Sequence, residues 1–383
     1  MTDAPGSVAV YVHWPYCARI CPYCDFNVVR DRGWRDEQSV LVEAILTDLS
    51  AQAALLGGRP LASVFFGGGT PSLMRPDDVA RVIERARALF PEGREVEITL
   101  DANPTDAEAA HFAALRDAGV NRLSLGVQSL DDTALAFLGR NHSAAEARRA
   151  IDVAGSVFER LSIDLIYALP GQTVEAWSVA LTEAVAMGFE HVSPYQLTIE
   201  AATAFGRAFE RGTLVPPDED RAADLYEATQ AVLGAAGFEA YEVSNHAKGV
   251  GARSAHNLHV WRGGDYVGVG PGAHGRLTLE GARTATVAER KIGPYVEGVA
   301  SGAPWSETSR LDAREAAEER ALLGLRTVEG VGIGDLSALD LAMETGPIAG
   351  LVEDGFVQLA DGRLSATARG RPVLDTVLKV LLT

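Results

Sequence analysis

Three cysteines fall within eight positions: Cys17, Cys21 and Cys24, in YVHWPYCARICPYCDFNVV, residues 11–29. The chain has no others. An odd set of thiols leaves no closed set of disulfides, so the group reads as metal-binding or catalytic. Structural zinc sites usually take four ligands, often as two separated pairs. Here there is one C-x3-C-x2-C run and no second pair. His13, four residues upstream of Cys17, could complete a zinc site, but it falls in what reads as a strand. A cubane 4Fe-4S cluster fits better. It takes one protein ligand per iron, so three thiolates leave one iron open to a ligand that is not protein.

Two other stretches could do chemistry. FFGGGTPS, residues 65–72, carries three glycines that allow close backbone approach, and their N–H groups can meet a carboxylate or phosphate. A plain strand-to-helix turn is the alternative. No Gly-Lys-Ser/Thr follows, which excludes a P-loop. HNLHVW, from His256 to Trp261, sets two imidazoles beside an indole. A buried His-Asn pair capping a turn is its structural alternative.

The elements that must position these residues alternate. VAVYVHW (8–14) is a β-rich run, and residues 36–57 carry helical periodicity with a Gly stop. SVFFGG (63–68) is a short strand, followed by a helix from Pro76 to Phe90. EVEITLDAN (95–103) precedes a helix over 106–118. NRLSLGVQS (121–129) precedes helices over 131–138 and 143–155. LSIDLIYALP (161–170) precedes a helix over 173–187, and HVSPYQLTI (191–199) ends the series. Six βα-type units predict an α/β fold, a partial parallel (βα)6 barrel with helices outside. In such barrels chemistry gathers at the C-terminal strand ends. The cysteine loop follows strand one and GGGTPS strand two; DANP ends strand three and GVQS strand four. Asp164 lies within strand five and YQLT in strand six. One shared site is expected.

The domain expectation is a barrel over 1–200, a barrel extension over 201–310 that holds HNLHVW, and a C-terminal α+β region over 311–383. YEVSNHA and DYVGVGPGAHG read as further strands in the extension. In the last region helices over 312–325, 335–341 and 346–354 precede two β-runs that flank Asp361-Gly362, a hairpin signal and a winged-helix-like order. Its 7 Lys/Arg against 12 Asp/Glu over 312–383 argue for packing rather than DNA reading, as does the net charge of −18 for the whole chain. No nucleic-acid partner is expected. MTDAPGSVAV shows no basic-then-apolar leader, and no run of about 18 apolar residues occurs. A cytoplasmic location without a transmembrane segment is expected, with peripheral membrane association left open.

The cysteine loop, with Tyr23 just before Cys24, resembles the signature of the radical S-adenosylmethionine (SAM) superfamily. In that family the amino and carboxylate groups of SAM chelate the open iron, and reduction of the cluster cleaves SAM to a 5′-deoxyadenosyl radical. Together with GGGTPS, ANP, GVQS, LGRNH and DLIYALPGQ, in matching order over most of residues 8–280, it resembles a narrower group. That group holds oxygen-independent coproporphyrinogen III oxidase and its relatives, the HemW-type haem chaperones. The resemblance implies that Cys17, Cys21 and Cys24 hold the cluster and that Tyr11 and Tyr23 contact SAM. Gly68, Gly69 and Thr70 would line its pocket, and Gln128, Arg140 and Asp164 would complete a polar shell, which in the oxidase holds a second SAM. Arg140 suits a carboxylate as a planar fork, and Asp164 a ribose hydroxyl or amino group. One departure is visible. The family usually has Glu where DANP places Asp101, so this candidate contact is one methylene shorter.

Two features separate the branches. The oxidase carries an extra cysteine two positions after the third, where this chain has Phe26, and an extension before its barrel, whereas the first strand here starts by about residue 8. HNLHVW is similar to the H-N-x-x-Y-W of HemW-type proteins, whose histidine is the candidate haem ligand. Imidazole is the ordinary axial ligand of haem iron, and a nearby aromatic can cover the porphyrin face. His256, Asn257 and Trp261 are kept, Val260 replaces the Tyr, and His259 is an extra imidazole in the same loop. GPGAHG, with His274, suggests a tight loop near the same face. The expectation is a haem chaperone of radical SAM fold with 4Fe-4S cluster, SAM and haem as cofactors. Its partners would be a reductant for the cluster and haem-accepting proteins such as respiratory cytochromes. The alternatives are oxygen-independent coproporphyrinogen III oxidase, acting by oxidative decarboxylation, and a radical SAM enzyme on another substrate.

Overall fold

The computed structural model describes residues 6–106, 108–339, 341 and 346–382. Six strands form its centre: β1 (Val8–Trp14), β2 (Leu61–Gly68), β3 (Glu92–Ala102), β4 (Arg122–Gln128), β5 (Arg160–Tyr167) and β6 (His191–Gln196). They lie side by side in that order and pair in parallel. Between them run α1 (Arg35–Ala54), α2 (Pro76–Leu89), α3 (Ala109–Asp117), α4 (Asp132–Phe137), α5 (Ala144–Val157) and α6 (Val174–Val185). The expected α/β partial barrel is present.

Alternation along the strands decides what faces the helices and what faces the lumen. Ile98, Leu100, Leu123, Leu125, Ile163 and Val192 are fully buried within the main apolar core. Their alternate neighbours Thr99, Asp101, Arg122, Ser124, Ser162, Asp164, His191 and Ser193 face inward and line a shared cavity. Side chains two apart lie on one face of a strand, so four consecutive strands place a polar row inside and an apolar row outside. Asp101 and Asp164 of this row are sequence candidates; the rest of the polar interior was missed, although the signal is there as TLD, RLS, SID and HVS.

The sheet then extends past both edges to twelve strands. After α7 (Ala204–Glu210) and α8 (Glu219–Ala235) come β7 (Glu239–Glu242) and β8 (Asn245–Ala247); β8 adds antiparallel to β6, and β7 antiparallel to β8. Then α9 (Ala255–Trp261) leads to β9 (Asp265–Val269), which pairs in parallel with β1. β10 (His274–Leu279), β11 (Ala282–Ala288) and β12 (Trp305–Arg310) continue antiparallel from β9, with α10 (Ile292–Ala300) before β12.

A second apolar core lies in the last segment, among Ala321, Leu325, Val331, Ile348, Val357, Leu364, Val377 and others. It is built by α11 (Ala313–Gly324), α12 (Pro347–Glu353), α13 (Leu374–Leu382) and a hairpin, Val357–Ala360 with Arg363–Ala366. Asp361 and Gly362 have φ of 50° and 72° at the turn, as a two-residue type I′ hairpin requires. The helix expected over 335–341 is instead a 3-10 stretch at Ile333–Leu339, and Asp340 lies outside the described residues. The last helix, α13, was not expected. No helix among the described residues is long and apolar enough to cross a membrane.

Candidate functional site

The cysteine loop leaves the C-terminal end of β1 and is zipped at its base. Val29 N donates to Pro15 O at 2.8 Å, and Asp31 N to Cys17 O at 2.8 Å. Cys17 is buried; Cys21 and Cys24 are partly open. The tip is held from outside. Phe205 N donates to Pro22 O at 2.9 Å, and the rings of Tyr23 and Phe205 lie 6.2 Å apart in a small apolar cluster with Leu138 and Ile166.

Two polar groups point at the sulfurs. Thr70 Oγ1 donates to Cys17 Sγ at 3.6 Å, and Arg140 Nη1 to Cys21 Sγ at 3.3 Å. Burial, chiefly, with the like charge of Cys17, Cys21 and Asp25, pushes the Cys24 thiol up to about 11. A bound metal inverts that balance, because a coordinating thiol is deprotonated outright. Among the described residues no three His, Cys, Asp or Glu side chains converge to hold a single ion. The chemistry of the donor set, three thiols on one loop, fits a multi-iron cluster with one thiolate per iron. His13 is engaged elsewhere: its Nε2 donates to Asn27 O at 2.8 Å, and its Nδ1 accepts from the Tyr11 hydroxyl at 3.0 Å.

A cavity of about 170 Å³ opens beside the sulfurs, lined by all three cysteines with Tyr23, Gly68, Gly69, Thr70, Asp101, Gln128, Arg140 and Asp164. Arg140 carries an orphaned buried Nε there, while its Nη2 donates to Gly126 O at 3.0 Å and to Asn103 Oδ1. Asn103, which the sequence reading passed over, also donates to Thr70 Oγ1 at 2.9 Å. Gln128 has a φ of 66°, rare for a residue other than glycine, at an irregularity between β4 and β5. Strained backbone of this kind concentrates at functional sites.

The glycine stretch needs a correction. The Gly69 and Thr70 amides are spent on Trp14 O and Tyr16 O, at 2.7 and 2.8 Å, so they are not exposed donors for an anion. A Cβ on Gly69 would stand 2.6 Å from Tyr16 O and 2.8 Å from Trp14 O. On Gly68, whose φ is +99°, it would strike the His13 ring. These glycines let β2 close against the strand that launches the cysteine loop, and the pocket wall is a consequence.

The lumen forms a second cavity of about 550 Å³, which shares Tyr23, Cys24, Gly68, Asp101, Gln128 and Asp164 with the first. Burial, then the charge of Asp164, pushes Asp101 well above the usual carboxylate range, and Arg122 opposes this. Burial likewise lifts Asp164 to about 6, against the pull of Ser124 and Ser193; Ser124 Oγ donates to Asp164 at 3.0 Å. Below these, buried Glu97 pairs with Arg160 at 2.6 Å and accepts from His256 N at 3.0 Å.

A third cavity, about 620 Å³, adjoins the lumen through Tyr11, Asp25, Phe26, Phe65 and Asn257. It holds His256, Trp261, Tyr266 and His274 on its walls. HNLHVW is a helix, α9, where a loop was expected. Ser254 Oγ caps it by accepting from Asn257 N at 3.3 Å. Gly263 N to Val260 O and Gly264 N to His259 O close it in a Schellman arrangement. His256 Nδ1 lies 2.9 Å from Ser63 Oγ, and its ring centre 5.0 Å from that of Phe65. Burial lowers His256 to about 3, so its imidazole is neutral. His259 turns away from this cavity: its Nε2 donates to Asp265 O at 2.8 Å in a buried position. The extra imidazole of the sequence is therefore part of the packing under α9.

With this geometry, the comparisons converge. The profile of the radical SAM superfamily matches residues 11–183, and that of the HemN C-terminal domain residues 311–373. The chain is 39% identical to radical S-adenosyl methionine domain-containing protein 1, mitochondrial, of Bos taurus, over all of this chain and 89% of that one. It is 35% identical to the heme chaperone HemW of Mycobacterium tuberculosis (strain ATCC 25618 / H37Rv), over all of this chain and 97% of that one. The chain belongs to the HemW family of the radical SAM superfamily. Its fold matches that of coproporphyrinogen III oxidase (HemN) from Escherichia coli with a TM-score of 0.81 at 20% identity, over 98% of this chain and 90% of that one. Ten sequence candidates, Tyr11, Tyr23, Gly68, Gly69, Thr70, Asp101, Gln128, Arg140, Asp164 and His256, thus line one connected run of cavities with the three cysteines.

Proposed function

We propose that this protein is a haem chaperone. Cys17, Cys21 and Cys24 hold a 4Fe-4S cluster, the adjoining cavity takes SAM, and the third cavity takes haem with His256 toward its iron. The donor set supports the first assignment: three thiols in one loop beside the cavity, one of them facing the Arg140 guanidinium at 3.3 Å. When bound, the cluster and SAM supply one-electron chemistry. The chain's own residues orient and shield. Asp101 and Asp164 offer carboxyl groups, both raised by burial above the usual carboxylate range, to the polar part of SAM, and Gln128 closes the end of β4.

The observation that carries the haem assignment is the setting of His256. Ser63 engages its Nδ1, burial keeps the ring neutral, and the helix turns it to a cavity walled by Phe65, Trp261 and Tyr266. A neutral imidazole with one nitrogen tied is the form that ligates metal through the other. Acceptor proteins such as cytochromes would receive the haem, and a reductant would serve the cluster.

Anaerobic reconstitution with iron and sulfide tests this, followed by haem titration and a coproporphyrinogen III product assay on the same sample. Haem binding without porphyrinogen conversion is expected. Conversion without haem binding overturns the proposal in favour of the oxidase.

A further inference from the structure

The chain has eight histidines. Seven have a ring nitrogen within hydrogen-bond distance of a partner. His274 has none among the described residues, and its side chain is exposed. It nevertheless lines the same 620 Å³ cavity as His256. An imidazole with both nitrogens unengaged is idle as packing but ready as a metal ligand.

Its backbone is not idle. His274 opens β10 directly after a turn, Gly270-Pro271-Gly272-Ala273, that is fixed on every side. Gly270 N accepts no freedom: it donates to the Tyr295 hydroxyl at 2.9 Å, Gly272 N donates to Glu289 O at 2.9 Å, and Ala273 N to Gly270 O at 3.1 Å. Asn27, three residues past Cys24, donates from Nδ2 to Pro271 O and to Arg290 O, both at 2.8 Å. A Cβ on Gly270 would strike His13 O, and one on Gly272 the Asn27 side chain. The chain therefore holds an unpartnered imidazole on a rigid mount, stapled to the exit of the cysteine loop. Function-bearing side chains are placed this way when position matters.

We infer that His274 is a second axial ligand for the haem iron, from the open wall of the cavity that His256 lines from the buried side. This rests on the haem chaperone proposal and deepens it. Two imidazoles of unequal burial suit a protein that must hold haem and then give it up. The exposed Fe–N bond to His274 breaks as a ligand of the acceptor bonds the iron, with no change in oxidation state, while His256 retains the other side.

The test is ferric haem bound to the cluster-reconstituted full chain, followed by absorption and electron paramagnetic resonance. The wild type should show a six-coordinate, low-spin spectrum. His274→Ala should shift it to high spin with a moved Soret band, and added free imidazole should restore the low-spin form. His274→Met, which keeps a weaker ligand, should give an altered low-spin spectrum. Unchanged cluster iron in both variants shows that the fold is intact. A wild-type spectrum in His274→Ala overturns the inference and leaves the haem proposal standing, as does a wild type that is already high-spin and five-coordinate. A wild type that binds no haem overturns both.

Discussion

The Arg140 guanidinium stands 3.3 Å from the Cys21 sulfur, and its other arm is anchored to Asn103 and to Gly126 O. The cation is thus held from the ends of β3 and β4 while it faces a cysteine of the loop after β1. Two neighbouring strand ends are locked to the third through one side chain, which is how a barrel gives geometry to a loop.

Replacing Arg140 by Met should keep the volume and remove the charge. A cluster gains negative charge on reduction, so losing the cation should lower its potential. A charge-assisted hydrogen bond of about 1.5 kcal/mol corresponds to roughly 60 mV for a one-electron couple. A reductive titration followed by electron paramagnetic resonance measures this. An unmoved potential would make Arg140 a structural strut only. Cys17→Ala should abolish the cluster altogether, as iron and sulfide analysis would show.

Gly69→Val should unfold the protein more readily and should not be read as a test of SAM contact alone. The added Cβ meets two backbone carbonyls, which cannot rotate aside as a side-chain tip can. Overpacking of this kind costs about 1–3 kcal/mol. Gly155→Ala is the contrasting case, since it sits inside α5 with nothing within 4 Å of the new Cβ. It should be neutral or stabilise by up to about 1 kcal/mol. Thermal unfolding of the two variants side by side decides.

What was legible in the sequence follows from these physics. Parallel strands buried between helices give short apolar runs, and loops that do chemistry give odd residues at their ends, so β1 to β6 and the cysteine and glycine loops could be placed. YEVSNHA and DYVGVGPGAHG read as strands and are β7 with β8, and β9, but they are only three to five residues long, and the places of β8 against β6 and of β9 against β1 come from pairing with strands far away in the chain. No local pattern announces that β9 will lie beside β1. α9 was hidden because most of its residues, His256, Asn257, His259, Val260 and Trp261, are weak helix formers, although Ser254 before it and Gly263 after it mark its ends. Arg122 and His191 were overlooked because a buried polar residue in a strand shows only as one beat of an alternation; Asn103 lies just past β3 within the ANP motif and was given no role of its own.

Asp164 gives a pH prediction. Its folded value near 6 lies above the unfolded value of about 4, so between those limits the folded chain holds a proton that the unfolded chain has released. The stability of the ligand-free protein should therefore fall as pH rises from about 4 through about 6, by at most about 3 kcal/mol from this group. Asp164→Asn should remove that fall and raise the melting temperature at pH 7. The same change should weaken SAM binding, measured by calorimetry after reconstitution. Opposite signs for stability and affinity are expected of a buried group retained for a ligand. A fall in both would mean that Asp164 is structural.

The two histidines of α9 should separate cleanly. His256→Ala removes the proposed iron ligand while the cluster loop, on another segment, is untouched; haem should bind weakly or without its Soret shift, at unchanged cluster iron. His259→Ala should do the reverse. Its Nε2 donates to the buried Asp265 O, and Asp265 in turn pairs with Arg59 and Arg283 at 2.6 Å each. Losing that donor orphans a buried carbonyl, at a cost of about 1–3 kcal/mol. The protein should melt earlier, yet bind haem with the wild-type spectrum, because His259 does not line the cavity. If His256→Ala keeps wild-type haem affinity and spectrum while His259→Ala loses them, the ligand has been assigned to the wrong face of the helix.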